Sequence, residues 1–192
     1  MKAIKVILCL AFSVICMQQA GAQSGTLRKA AEKAAGYFRD FDITGIWVYE
    51  GVDVAFQSDN LLRKAGGTLM AGRIENSVDE QLKKLGFTEG ATTFTFEQDG
   101  TFTHTTAGRT LRGSYEFDKT EETITLKYLN HIPLKTTLSG SGSHLSLLFE
   151  AGSFLSMAAF VGSNSGIGAG DTLSSLLKSY DGMMIGLKLR RQ

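Results

Sequence analysis

From Thr92 onward the chain alternates apolar and polar residues with a period of two, interrupted by turn residues every 8 to 12 positions. That rhythm predicts consecutive antiparallel hairpins, with strands near 92–97, 101–106, 110–117, 123–129, 133–139 and 144–150. An earlier strand at 43–54 around "TGIWVYEG" and a final one at 183–190, "MMIGLKLR", bring the total to eight. Elsewhere the period lengthens to 3.6. Residues 25–39 place Leu27, Ala31, Ala34, Ala35 and Phe38 on one helical face. Between 57 and 86, the positions Leu61, Leu62, Ala65, Leu69, Met70, Ile74, Val78, Leu82 and Leu85 predict two helices. Their joint falls near Gly66 and Gly67, because each glycine costs ~1 kcal/mol in a helix interior. Before the last strand come an apolar helix, "SFLSMAAFVG", a glycine-serine loop, "SNSGIGAG", and a helix "DTLSSLLKSY" with Asp171 as N-cap.

The hairpin "FTFEQDGTFTH" fixes a register. A two-residue loop at Asp99-Gly100 would put Phe102 on the face opposite Phe94 and Phe96. A three-residue loop, Gln98 to Gly100 with Gly100 left-handed, pairs Phe96 with Phe102 and Phe94 with His104. One slip in register flips every side chain, so burying three phenylalanines together selects the longer loop. His104 then lies on the apolar face.

The same parity assigns Leu111, Tyr115 and Phe117, then Ile124, Leu126 and Tyr128, then Leu138, then Leu145, Leu147 and Phe149, then Ile185, Leu187 and Leu189 to that face, with threonines, glutamates and lysines on the other. A sheet of eight strands with one apolar face buries it and removes its edges by closing. The fold class is therefore mainly β: an eight-stranded antiparallel barrel with an N-terminal helix and helical insertions after the first strand and before the last. Eight strands enclose just enough room for side chains or one small ligand. The candidate lining is Phe94, Phe96, Phe102, His104, Tyr115, Phe117, Tyr128 and Phe149, apolar with few polar anchors as in small-molecule sites. Large side chains at nearly every inward position leave a filled core as the other outcome.

The N-terminus changes the picture of compartment. "MKAIK", the apolar run "VILCLAFSVICM" and "AGA" before Gln23 form a secretory signal peptide over residues 1–22, with cleavage after Ala22 and a single domain over 23–192. The run is too short to cross ~30 Å of hydrocarbon. Lipid anchoring at Cys16 is disfavoured by the bulky Ile15 before it, and Cys9 has no apolar region ahead of it. Both cysteines leave with the signal, so neither disulfides nor thiolate metal sites are expected. Removing Lys2 and Lys5 from 20 basic residues leaves 18 against 19 acidic ones, without charge runs. A nucleic-acid or polybasic membrane role is thereby disfavoured. The expected location is the periplasm or the exterior.

Catalytic chemistry finds little to stand on. His104, His131 and His144 share no metal-ligand spacing, and no HExxH motif occurs. "GSNSG" places Asn164 where a nucleophile elbow needs serine, and "GIGAG" lacks both the preceding strand and the lysine of a phosphate loop. Glu121-Glu122 and Asp79-Glu80 read as solvated residues. No catalytic residue, metal or cofactor is expected.

Gly45-Ile46-Trp47, after a short helix and on the first strand of an eight-stranded meander, resembles the lipocalins and the wider calycin group. Through "GIWVYEG", "FQSDNLLRKAGG", "FTFEQDGTF", "LSLLFEAG" and "LLKSYDGMMIGLKLR" nearly the whole mature chain is similar to a lipocalin-like family of unknown function in secreted bacterial proteins. The resemblance implies that Trp47 packs across the closed end of the barrel with a basic residue over it. Arg191 shares the inward parity of Leu187 and Leu189 and is the first choice, with Arg190 the fallback. Gly45 would leave room for close packing. The expected function is a secreted binder of a small apolar or amphipathic molecule, the apolar helices acting as lids. The alternative is a non-catalytic interaction or envelope-structural module with a filled barrel. Some calycins are inhibitors and a few are enzymes, but nothing here marks a reactive loop or catalytic group.

Overall fold

The computed structural model describes residues 41–56, 68–129, 133–165, 173–175 and 182–192. The expected signal peptide, N-terminal helix, Gly66-Gly67 joint and helix before it, His131, residues 166–170 of the expected glycine-serine loop and Asp171 lie outside the described residues; the first three residues expected in that loop, 163–165, are instead the last residues of a helix that begins at Ala151. The chain divides into two compact units, 1–41 and 42–192, and the second holds every strand and helix named here.

Eight strands form in order: β1 (Gly45–Phe56), β2 (Thr93–Phe96), β3 (Thr101–Thr106), β4 (Arg109–Asp118), β5 (Thr123–Tyr128), β6 (Leu134–Ser141), β7 (His144–Glu150) and β8 (Met183–Arg191). Each pairs antiparallel with its sequence neighbour, and β8 returns to β1, so the sheet is a closed barrel. The expected barrel, its strand count and its hairpin order are what the chain adopts. The β2–β3 register pairs Phe94 with His104 and Phe96 with Phe102. Glu97 N–H donates to the Thr101 carbonyl at 2.9 Å, and Gly100 closes the three-residue loop at φ 81°. Between β3 and β4, Ala107 (φ 49°) and Gly108 (φ 70°) make the two left-handed residues of a tight hairpin turn.

Two longer helices accompany the barrel among the described residues. Helix α1 (Thr68–Lys84) buries Ile74, Val78 and Leu82, spaced four apart along one face. Its two final lysines oppose the negative end of the helix dipole. Gly86, at φ 96°, then stops it: Gly86 N–H bonds the Lys83 carbonyl at 3.0 Å and Phe87 N–H bonds the Leu82 carbonyl at 3.0 Å. These paired bonds are a Schellman cap. The cap turns Phe87 inward, where it is fully buried.

A short β2 explains where α1 sits. It pairs with β1 only from Gly45 to Val48, so the outer part of that β1 edge needs other partners. Glu75 of α1 accepts from Val54 N–H at 3.3 Å, and Asp79 accepts from the Tyr49 hydroxyl at 2.9 Å. Burial and that bond to a carboxylate push the Tyr49 phenol well above its ordinary pKa. Helix α2 (Ala151–Ser165) leaves β7 directly and buries Phe154, Met157, Ala158 and Val161. Residues 173–175 are also helical.

Connectivity makes the two ends unlike. The hairpins β2–β3, β4–β5 and β6–β7, the entry to β1 and the exit of β8 gather at one end; α1, α2 and the β3–β4 turn gather at the other. Two expectations about faces need correction. On β4 the inward-parity residues Leu111, Tyr115 and Phe117 are only half-buried, because this ten-residue strand projects beyond the six-residue β3 and β5 on either side. On β7 the outward face is not simply polar and solvated: Leu148 is 6% exposed, and Ser146 donates to Asp53 at 2.5 Å. Gly186 of β8 permits this, since a Cβ there would lie 2.7 Å from the Leu148 side chain.

Candidate functional site: an aromatic interior between unlike ends

At the hairpin end Trp47 is fully buried. Its indole N–H donates to the Ile43 carbonyl at 2.7 Å, and the Arg191 guanidinium carbon stands 4.9 Å from the ring centroid. Arg191 is opposite Trp47 in the β1–β8 ladder and also donates to the Asp42 carbonyl. Arg190 points outward instead and pairs with Glu50 at 2.8 Å, beside His144 at 3.6 Å from the same carboxylate. The role expected for Gly45 is corrected. A Cβ there would meet nothing within 4 Å, so the glycine is not making room; its φ of 114° is the reason it is there. Outside this seal lies an open depression of about 520 Å³ lined by Thr44, Gly45, Phe96, Glu97, Gln98 and Asp99.

Inside, one aromatic chain of contacts runs toward the helical end. Phe96 touches Phe102 at 5.9 Å, Phe102 meets Tyr128 edge-on at 5.0 Å, and Phe94 stacks on His104 at 4.1 Å. His104 Nδ1 and the Tyr128 hydroxyl are hydrogen-bonded at 3.0 Å, both groups buried. Burial alone pushes the His104 imidazole down to about 3 and raises the Tyr128 phenol, so both are neutral at physiological pH. The inward geometry thus brings Phe94, Phe96, Phe102, His104 and Tyr128 together. Phe149 belongs to a neighbouring contact, edge-on to Phe154 of α2 at 6.0 Å.

Tyr115 joins that group only at its margin, through Phe96, and Phe117 makes no ring contact with its members. The Tyr115 ring meets Phe96 at 5.0 Å, but its hydroxyl donates to the Glu97 carbonyl at the hairpin end. Phe117 lies under the Lys119 ammonium, 6.0 Å from the ring.

Three aromatic participants were not singled out from the sequence. Phe87 lies 5.3 Å from His104 and 5.7 Å from Tyr49; its signal was the Gly-Phe that comes after a helical run, the pattern of a capped helix with an apolar residue past the glycine. Phe154 and Phe160 belong to the apolar helix, and Phe160 rests on Tyr128 at 4.9 Å. The far end of α2 is tied down by Arg109 of β4, which donates to the Asn164 carbonyl. Among the described residues no group of three His, Cys, Asp or Glu side chains could hold a metal ion, and no helix is long and apolar enough to cross a membrane.

Comparison with known proteins adds one decisive match: the model of the lipocalin-like domain family DUF4923 covers residues 19–191. The chain belongs to that family. A DUF4847 family protein from Bacteroides vulgatus is similar in structure at 12% identity, with 78% of this chain and 94% of that one covered, and a TM-score of 0.36. A likeness at that level carries no argument. No curated protein matches the chain. Membership in the lipocalin-like family agrees with the closed eight-stranded barrel.

Proposed function

We propose that this lipocalin-like protein is an exported, non-catalytic binder of one small apolar or amphipathic molecule, held in the barrel and admitted at the helical end. The difference between the two ends carries the reading. Trp47, Arg191 and tight hairpins close one end with groups that belong to the strand ladder itself. At the other end stands α2, a separate helix whose Phe154 and Phe160 touch Phe149 and Tyr128 and whose last turn is tied to Arg109. Such a helix moves at the cost of its own contacts, whereas a hairpin end opens only by breaking strand pairing. An aromatic interior with few polar groups is the usual lining of a small-molecule site. The signal-peptide pattern of residues 1–22 supports delivery to the periplasm or beyond.

Native mass spectrometry of protein purified without detergent tests the proposal. A co-purified mass, or uptake of one molecule from a lipid and bile-acid panel, is the expected outcome. A single apo species that takes up nothing would overturn it.

The complete burial of Phe94, Phe96, Phe102 and Phe149 favours a second reading, in which the barrel is a filled scaffold for protein contacts. Hydrogen exchange separates the two. Amides of α2 protected as strongly as those of β5 would favour the scaffold.

A further inference from the structure

His104 is an odd choice for a position that only needs packing. It is fully buried on the inward face of β3, its ring stacked on Phe94 at 4.1 Å and beside Phe87 at 5.3 Å. Phenylalanine would complete that stack without leaving a polar atom in an apolar interior. Only Nδ1 is engaged, by the Tyr128 hydroxyl at 3.0 Å; Nε2 is buried and has no partner among the described residues. Neither tautomer cures this. If the tyrosine donates to Nδ1, then Nε2 carries an unpaired N–H; if Nδ1 donates to the tyrosine, then Nε2 is an unpaired acceptor. Buried polar atoms are paired in the great majority of cases, so one left over in a candidate binding interior calls for a partner. The inward Thr136 hydroxyl on β6 and Oε1 of Glu122 at the β4–β5 turn are the other buried side-chain polar atoms left unpaired among the described residues.

We infer that His104, backed by Tyr128, is the hydrogen-bonding anchor for the polar end of the molecule the barrel takes up, and that this end is a neutral hydroxyl or carbonyl rather than a carboxylate. The inference rests on the binding function proposed above. A hydroxyl both donates and accepts and so satisfies Nε2 in either tautomer; a carbonyl satisfies the tautomer with Nε2–H. A carboxylate would enter with no counter-charge, since no lysine or arginine is buried among the described residues and the imidazole is neutral at pH 7. Stripping a carboxylate of water without pairing it is strongly unfavourable. The path is consistent with the fold, because Phe160 of α2 rests on Tyr128, whose hydroxyl is hydrogen-bonded to His104 Nδ1, so displacing α2 opens the interior beside that pair.

Calorimetric titration of the full-length mature protein with 1-decanol and with decanoate at pH 7.5 compares two heads on one tail. Nitrogen-15 NMR of labelled histidine watches Nε2 during each titration. The expected results are tighter binding of decanol by about tenfold or more, a shift of the His104 Nε2 resonance on saturation with decanol, and about a tenfold loss of decanol affinity in His104→Phe with decanoate unchanged. Tyr128→Phe keeps the ring, removes the Nδ1 partner and alters the Nε2 shift, which serves if His104→Phe does not fold. Equal affinity for the two probes, tighter decanoate, or decanol binding with Nε2 unmoved would overturn the anchor while leaving barrel binding intact. Failure of folded protein to bind either probe would overturn both.

Discussion

Trp47 and His104 are both fully buried ring residues on inward strand positions, and their surroundings give them different work. The Trp47 N–H is satisfied by the Ile43 carbonyl and its face is covered by Arg191, so it closes the barrel and presents nothing to a ligand. Trp47→Ala should lower the unfolding free energy in urea by ~3–5 kcal/mol while leaving uptake by the still-folded protein unchanged; lost uptake at full stability would refute this role. His104 instead keeps a polar atom in reserve. Burial holds it neutral down to about pH 3, whereas the unfolded chain binds the proton near the ordinary 6.5. Between those values the unfolded state carries the extra proton, so stability falls as pH drops from about 6.5 toward 3 by up to ~1.4 kcal/mol per pH unit. Above 6.5 the residue adds no pH dependence. Unfolding curves of wild type and His104→Phe should therefore converge in slope above pH 7 and diverge below 6. A third residue acts through what it lacks. A Cβ on Gly113 would clash with the Lys127 carbonyl oxygen of the neighbouring strand and lie 2.6 Å from Cε1 of Phe102, so Gly113→Ala should cost ~1–3 kcal/mol by overpacking, read as a lower melting midpoint.

Elements show where alternation and periodicity speak clearly and where they stop. Period-two patterning and the burial of three phenylalanines were enough to place the β2–β3 hairpin in its observed register, because a slip would have exposed the whole set. The Schellman cap of α1 was equally local, written in Leu82 to Phe87. Where α1 docks was not. Its partners Val54 and Tyr49 lie 21 and 30 residues away from Glu75 and Asp79, and the vacancy it fills arises from the shortness of β2. Helix α2 reads from sequence as a plain apolar helix, and only its contacts with Phe149, Tyr128 and Arg109 make it the closure of one end. If α2 is the gate, its amides should exchange at least tenfold faster than those of β5, and Arg109→Ala should quicken them further with β5 unaffected. Uniform protection across α2 and β5 would count against a gate.

At the scale of the molecule, closure depends on β8 returning to β1, the most distant strand pair in the chain. Ending the chain at Leu189 removes the Arg190 pair with Glu50, the Arg191 contact with Trp47 and the bond from Gln192 N–H to the Ile46 carbonyl at 2.9 Å. The expected cost is ~2–4 kcal/mol, seen as an earlier urea midpoint; an unchanged midpoint would show that the last three residues do not hold the seam. By itself the sequence determined the eight strands, their hairpin order, the inward face and the need to close, because alternation, turn chemistry and burial are local or nearest-neighbour constraints. It also marked His104 as inward without saying that one nitrogen would be paired and the other left over. Only the tertiary structure decided which arginine covers Trp47, that Gly45 serves a backbone angle rather than a tight contact, that Tyr115 meets the His104 group only through Phe96 while Phe117 lies outside it, and that Phe87 and Phe160 border it. Those outcomes depend on strand length, on the register of the β1–β8 seam and on helices returning from far along the chain, none of which a period carries.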